Sequence, residues 1–298
     1  FRYLPMLLMI LLSYAEFLKK TKIKSITYGN YEVSRNNEGF APIMDLIPLV
    51  LLKDWTIAVN NFESFGEVSL ISSLCQDSLR PILREAKGAD KVATSVHSFS
   101  KDLPGLIASI KTCRGPEIIS GDKAIALEKR IAEVEKTSLA PFNTIFSRIK
   151  SQIIRFASND NVKNGFVAVD WCINNGLIQQ GLTILQETIT SIVCESEGLD
   201  IVHEKNRNIV SSVFNIIEKN IPENEWKGEC AKTQNIELTR KLCNNNLIIS
   251  LVKDYVNLSN SRNDINHSGM RNNPAKASSF ENNLKQVFCS VLSKTSNL

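Results

Sequence analysis

Several residue types that often reveal a protein's function are scarce in this sequence. Its 298 residues include only three histidines, and none of the seven cysteines forms a C-x-x-C pair. The odd number and wide spacing of the cysteines argue against a disulfide framework and against a thiolate zinc site. We therefore expect a reducing, cytoplasmic compartment.

Long hydrophobic runs are also missing. The apolar stretch at 4–12 is too short to span a bilayer, and no small-residue cleavage site follows it. We expect this stretch to form a buried helix, and we expect no membrane partner. Because the chain begins with Phe1 rather than Met, we expect further residues to precede it.

Neither the charge nor the common motifs point to a familiar enzyme class. The net charge of +4 and the hydrophobic content of 43% are those of an ordinary globular protein, and they permit an anionic partner without requiring one. The sequence lacks H-E-x-x-H, an acidic metal cluster, a P-loop, G-x-S-x-G and G-x-G-x-x-G. We expect neither a metal nor a cofactor.

The first part of the chain, 1–65, mixes helical and strand patterns. Helical spacing at 1–20 and 43–62 flanks a strand that ends at the turn signal Tyr28-Gly29-Asn30. This succession indicates the last part of an α/β domain. Ligands of such domains bind beyond the carboxyl ends of the strands, so Gly29 and Asn30 are candidate ligand contacts. Alternatively, Gly29 only permits the turn.

The rest of the chain has helical patterns only. We assign 66–158, with a loop at "RGPEIISGD", as a helical connecting region. The stretch 159–298 predicts four or five helices, the first of them long, over 166–192, with weak points at Gly176 and Gly181. The sequence therefore predicts a mainly α fold that ends in a helical bundle.

Near the end of this bundle, the segment "SRNDINHSGMRNN" places Arg262 and His267 five positions apart. An imidazole can take a proton from a ribose 2′-hydroxyl or give one to the leaving 5′-oxygen. A guanidinium can bind the scissile phosphate and stabilise the phosphorane. The pair indicates metal-independent RNA cleavage, and a two-fold dimer would double the site. The alternative is a helix cap or surface histidine, and we interpret His97 and His203 as structural.

The local pattern around this pair predicts a short helix or turn. It would start near Arg262, with Asn260 or Ser261 as its cap, and Gly269 would end it. On such a helix His267 lies roughly 140° around the axis from Arg262. The two side chains would then flank a shared groove instead of stacking.

Longer segments resemble one family. The segment "RNDINHSG" resembles the R-x-x-x-x-H motif of HEPN ribonucleases, and "NGLIQQGLTILQE" resembles an earlier HEPN helix of CRISPR-associated CARF–HEPN proteins. In the branch of these proteins named for a D-x-T-H-G motif, similar segments follow that motif in the CARF domain. They are "FRYLPMLLMILL", "SITYGNYE" and "APIMDLIPLVLLKDWTIAVNNF". The D-x-T-H-G loop and the strand before it do not occur in this sequence, so we interpret the chain as N-terminally truncated.

The resemblance implies two domains with different functions. The stretch 1–65 would be the C-terminal part of a Rossmann-like CARF domain, and 159–298 would be a HEPN nuclease domain. Family members are effectors of type III CRISPR systems, in which a cyclic oligoadenylate binds across a CARF dimer. Binding activates a metal-independent endoribonuclease that cleaves single-stranded RNA, so a homodimer or a higher even oligomer is expected.

The resemblance also implies roles for individual residues. The catalytic arginine and histidine of the family correspond to Arg262 and His267, and Asn263 corresponds to a polar residue that supports the site. Residues that contact the activator would include Gly29, Asn30 and Arg2.

The sequence also permits two other hypotheses. HEPN-like bundles can bind RNA or partner proteins without cutting, so the chain could be a non-catalytic RNA-binding or regulatory CARF–HEPN module. It could also be a plain helical scaffold in which Arg262 and His267 only cap helices.

Overall fold

The computed structural model describes residues 4–18, 20–21, 23–30, 40–85, 91–135, 140–156 and 161–296. The chain divides into two compact units, Phe1–Ala58 and Val59–Leu298. The predicted three-part division into 1–65, 66–158 and 159–298 stays a prediction.

The first unit contains the described β-structure. Helix α1 (Leu4–Phe17) precedes strand β1 (Thr27–Gly29), which pairs antiparallel with strand β2 (Ile43–Asp45). In this register Thr27 lies opposite Asp45, and all six strand residues are exposed. Helix α2 (Ile47–Phe65) begins directly after β2.

The start of α2 differs from the sequence prediction. The apolar pattern predicts a helix from residue 43, whereas the structure places β2 there and begins the helix at Ile47. The Asp45 carboxylate accepts a hydrogen bond from the Ile47 amide at 2.9 Å, as a helix-initiating side chain does. Pro48 then lies in the first turn, where its missing N–H costs no hydrogen bond. The boundary is therefore set by Asp45 and Pro48.

The regular secondary structure of the second unit is helical in all the residues that are described. Its helices are α3 (Ser69–Glu85), α4 (Lys91–Lys111), α5 (Gly115–Ser120), α6 (Asp122–Glu135), α7 (Ala140–Ile153), α8 (Asn164–Asn174), α9 (Ile178–Ser196), α10 (Glu204–Lys219), α11 (Ile236–Cys243), α12 (Asn246–Asn266) and α13 (Ser279–Thr295). Three short 3₁₀ turns lie between α10 and α11. The prediction of a mainly α chain with a small α/β part at its start is confirmed.

The earlier helices of this unit pack around one apolar core. Helix α4 lies against α3 and α6, and α6 lies against α7. Leu103 and Leu127 are fully buried, and the rings of Phe99 and Phe146 meet edge to face with centroids 5.7 Å apart. The "RGPEIISGD" segment, predicted as a loop, contains helix α5, because Pro116 fits a first helical turn.

Helix α9 is the centre of the later bundle. It packs against α8, α10, α12 and α13, and it is buried on nearly all sides. A helix surrounded in this way leaves little room for charged side chains, and the charged residues of α9 are only Glu187 and Glu195. The Phe214 ring stacks on Tyr255 with centroids 4.0 Å apart, which joins α10 to α12.

The single long helix predicted over 166–192 is wrong, because it is two helices. Helix α8 ends at Asn174 and α9 begins at Ile178, with Gly176 between them at a φ of +68°. The Leu177 amide donates back to the Cys172 carbonyl at 2.8 Å, as in a glycine-terminated helix end. The weak point noted at Gly176 in the sequence is therefore a complete break.

Candidate functional site

Helix α12 carries Arg262 close to its C-terminal end. The prediction of a helix starting near Arg262 is wrong, because α12 runs without a break from Asn246 to Asn266. Its cap is Asn245, whose side-chain oxygen accepts from the amides of Leu247 at 2.8 Å and Ile248 at 3.2 Å. Asn260 and Ser261 therefore lie within the helix. The buried side chains along α12 include Leu251, Tyr255 and Leu258.

The predicted helix end at Gly269 is confirmed. His267 is the C-terminal cap residue, and Ser268 and Gly269 follow with φ values of +55° and +68°. The Gly269 amide donates to the Asp264 carbonyl at 2.9 Å. Glycine adopts this left-handed conformation without steric cost, so the chain turns away sharply just beyond His267.

A buried carboxylate holds the segment that follows this turn. Asp264 is 5% exposed, and its Oδ2 accepts from the Ala275 amide at 2.7 Å. A buried carboxylate needs such a partner, and the bond fixes where the chain returns after the turn. Met270 lies in this segment and is 86% exposed. Asp264 therefore fixes the local backbone on either side of the turn.

Arg262 reaches across to helix α9. Its Nη1 donates to Gln186 Oε1 at 3.1 Å and lies 3.5 Å from Glu187 Oε1. Its Nε and Nη2 donate to no acceptor among the described residues. The side chain is 31% exposed, so part of the guanidinium faces solvent.

Glu187 lies between two guanidinium groups. Its Oε2 accepts from Nη2 of Arg207 at 2.6 Å, while Nη1 of Arg207 donates to Ser191 Oγ and to the Ile201 carbonyl. The Cys113 thiol lies close to the same charges. Burial raises the pKa of this thiol, against the opposing effect of Arg114 and Arg262, so the neutral thiol is favoured.

His267 and Asn263 point away from this cluster. Both are exposed, and neither side chain hydrogen-bonds to another described residue. The His267 amide donates to the Asn263 carbonyl at 3.0 Å, so the two residues lie one helical turn apart. Arg262 lies about 140° from His267 around the helix axis at 100° per residue. The structure thus brings the three predicted residues to one helix end, on two different faces.

The predicted ligand residues belong to the first unit. Gly29 lies within β1 opposite Ile43, and its φ is outside the left-handed region. The Asn30 amide donates to the Pro42 carbonyl at 3.0 Å, which extends the ladder by one position. Arg2 lies outside the described residues. Activator binding by these three residues stays a prediction.

A cavity of about 340 Å³ adjoins Glu187 and Arg207 in the second unit. Its lining is mostly apolar, and two of its three hydroxyl groups donate to backbone carbonyls. Thr188 Oγ1 donates to the Ile184 carbonyl at 2.7 Å, and Ser191 Oγ donates to the Glu187 carbonyl at 2.9 Å. The cavity therefore presents few polar groups that a ligand could recognise.

The described part of the chain contains no cluster of histidine, cysteine and acidic side chains that could bind a metal ion. Within the same residues, no helix combines the length and apolar character needed to cross a membrane.

No known family profile matches the chain. The chain is similar to a CRISPR-associated protein. This relative, from Methanocaldococcus jannaschii, is 23% identical over 215 residues, which is 72% of the chain. The match spans only about 30% of the relative's own length.

Sequence reasoning missed three residues of the site, namely Gln186, Glu187 and Asp264. One signal was available. Gln186 occupies an apolar-stripe position of α9, between the fully buried Leu182 and Ile189. A polar residue at such a position needs a partner, and here its partners are on α12.

Proposed function

We propose that this chain acts in CRISPR defence as a HEPN-type endoribonuclease that cleaves single-stranded RNA without a metal ion. Cyclic oligoadenylate, bound by the CARF-like stretch 1–65, would activate it. The similarity to a CRISPR-associated protein supports the setting. The observation that carries the activity is the end of α12, which holds both a half-buried Arg262 with unused donors and an exposed His267, on two different faces of the helix.

In the proposed reaction, the ribose 2′-oxygen attacks the adjacent phosphorus while the bond from phosphorus to the 5′-oxygen breaks. The products are a 2′,3′-cyclic phosphate and a free 5′-hydroxyl. His267 accepts the 2′-hydroxyl proton or donates a proton to the 5′-oxygen. Arg262 stabilises the extra negative charge on the phosphorane oxygens. Asn263, one turn from His267, orients the strand.

One protomer supplies one imidazole, while the reaction needs both a base and an acid. We therefore propose a two-fold dimer in which the ends of the two α12 helices face each other across the RNA. Each His267 would then serve one of the two proton transfers. An isologous interface of this kind brings identical groups together without any change in the fold.

The test measures cleavage of labelled single-stranded RNA by the purified protein, with and without cyclic oligoadenylates. His267→Ala should reduce kcat at least about a hundredfold, because it removes the proton-transfer group. Chelation with EDTA should leave the rate unchanged. His203→Ala is the matched control, because His203 is also exposed and its side chain makes no capping hydrogen bond.

Activity that EDTA abolishes and the His267→Ala variant keeps would reject the proposal. Activator-independent RNA binding without cleavage would favour the non-catalytic module instead.

A further inference from the structure

Gln186 is a buried amide whose two ends both serve helix α12. It is 7% exposed, its Nε2 donates to Ser259 Oγ at 3.1 Å, and its Oε1 accepts from Arg262 at 3.1 Å. Ser259 and Arg262 are three residues apart, so they lie on the same face of α12. A guanidinium can only donate hydrogen bonds, so the orientation of the amide is fixed.

Two other arginines in the same unit bind a carboxylate through two nitrogens of the guanidinium. Arg240 donates to Glu223 from Nε at 2.7 Å and from Nη2 at 2.5 Å. Arg148 uses the same two nitrogens on Glu63, with an Nε distance of 2.9 Å. Both pairs use the edge formed by Nε and Nη2, which matches the two oxygens of an oxyanion.

Arg262 uses its guanidinium in the opposite way. Gln186 and Glu187 both contact Nη1, which is outside that edge. The Nε and Nη2 donors have no acceptor among the residues the structure describes. The arginine is therefore fixed at one nitrogen, and the edge suited to an oxyanion is left unpaired.

We propose that Gln186 is a positioning residue that holds Nη1 of Arg262 and so presents the Nε–Nη2 edge to a phosphate of the bound RNA strand. This inference rests on the proposed function, because it names Arg262 as the phosphate ligand. Fixing the side chain before binding removes part of the entropy cost of ordering it around the phosphate.

Glu187 is a weaker candidate for this role. Its closest contact is with Arg207 at 2.6 Å, and its contact with Arg262 is longer, at 3.5 Å. Both partners of the longer contact are partly exposed, and such ion pairs contribute little. The buried amide therefore sets the orientation of Arg262.

The test uses the full chain and two replacements of Gln186. Gln186→Met keeps the volume and removes the acceptor, whereas Gln186→Glu keeps an acceptor for Nη1. Gln286→Met makes the same change at an exposed position of α13 and is the matched control. One readout is kcat, and the other is the Kd for a 2′-O-methyl RNA strand, which lacks the attacking hydroxyl.

Gln186→Met should weaken this Kd about tenfold, the value of one hydrogen bond to a charged group. The same change in an Arg262→Ala background should have no further effect, because the two residues act as a unit. In active protein, kcat should fall about tenfold or more, and Gln186→Glu should restore most of it. Thermal melting of each variant reports whether the fold is kept.

The two proposals fail in different ways. Additive effects of Gln186→Met and Arg262→Ala on Kd would overturn the positioning role, whether or not the protein cleaves RNA. If the two substitutions have coupled effects on Kd but the protein never cleaves RNA, the positioning role is supported and the proposed nuclease function is rejected. If Gln186→Met does not fold, the Gln186→Glu variant tests the proposal instead. A Kd of Gln186→Glu for the 2′-O-methyl strand that is as weak as that of Arg262→Ala would contradict the positioning role.

Discussion

The units Phe1–Ala58 and Val59–Leu298 place their large apolar side chains differently. Of seventeen such side chains that the described residues leave exposed, eleven belong to the first unit, although it is much the shorter. Among the described residues of the first unit, the buried apolar side chains are Val50, Trp55 and Ala58, whereas the second unit buries many more. An apolar pattern thus predicts which face of an element needs covering, but burial depends on the elements packed against that face.

The largest expected difference between the units comes from removing one leucine. Leu185 is completely buried in α9, and Leu185→Ala should lower the free energy of unfolding by about 2–5 kcal/mol through lost burial and a new cavity. Leu11 is 55% exposed, so Leu11→Ala should change the free energy of unfolding by less than about 0.5 kcal/mol. Urea titrations followed by far-ultraviolet circular dichroism measure both. Equal losses would show that the surface around Leu11 is covered in solution.

A matched pair of glycines gives the next largest contrast. A methyl group at Gly181 would meet Leu284 at 2.6 Å, whereas a methyl group at Gly29 would have nothing within 4 Å. Gly181→Ala should therefore lower the free energy of unfolding by about 1–3 kcal/mol, because the fully buried Leu284 side chain must shift to make room. Gly29→Ala should be nearly neutral. The same titrations test this pair, and a neutral Gly181→Ala would mean that α13 packs less closely than described.

The sequence was informative about the helices and less so about their ends. Apolar spacing predicts most of the bundle, and Gly269 predicts the end of α12, because both signals are local. The predicted start of α2 was wrong because a three-residue strand inside an apolar run carries no distinct period. The helix over 166–192 was wrong because Gly176 can either weaken a helix or end it, and only the backbone conformation distinguishes these.

The candidate site was predictable to a smaller extent. Arg262, Asn263 and His267 stand close together in the sequence, so a local pattern can single them out. The partner of Arg262 lies 76 positions away on another helix, and periodicity carries no information about such pairs. A polar residue in an apolar stripe shows that Gln186 needs a partner, but it does not say which one.

The smallest expected contrast concerns one tyrosine hydroxyl in each unit. Tyr255 is 4% exposed and its hydroxyl donates to Ser211 Oγ at 3.0 Å, whereas Tyr28 is 45% exposed. Tyr255→Phe keeps the stacking on Phe214 and removes only this hydrogen bond, so it should lower the free energy of unfolding by about 0.5–1.5 kcal/mol. Tyr28→Phe should cost almost nothing, because water already solvates its hydroxyl. A loss at Tyr28 that matches the loss at Tyr255 would indicate a partner for β1 in solution, and the exposed apolar surface of the first unit would then be a contact surface.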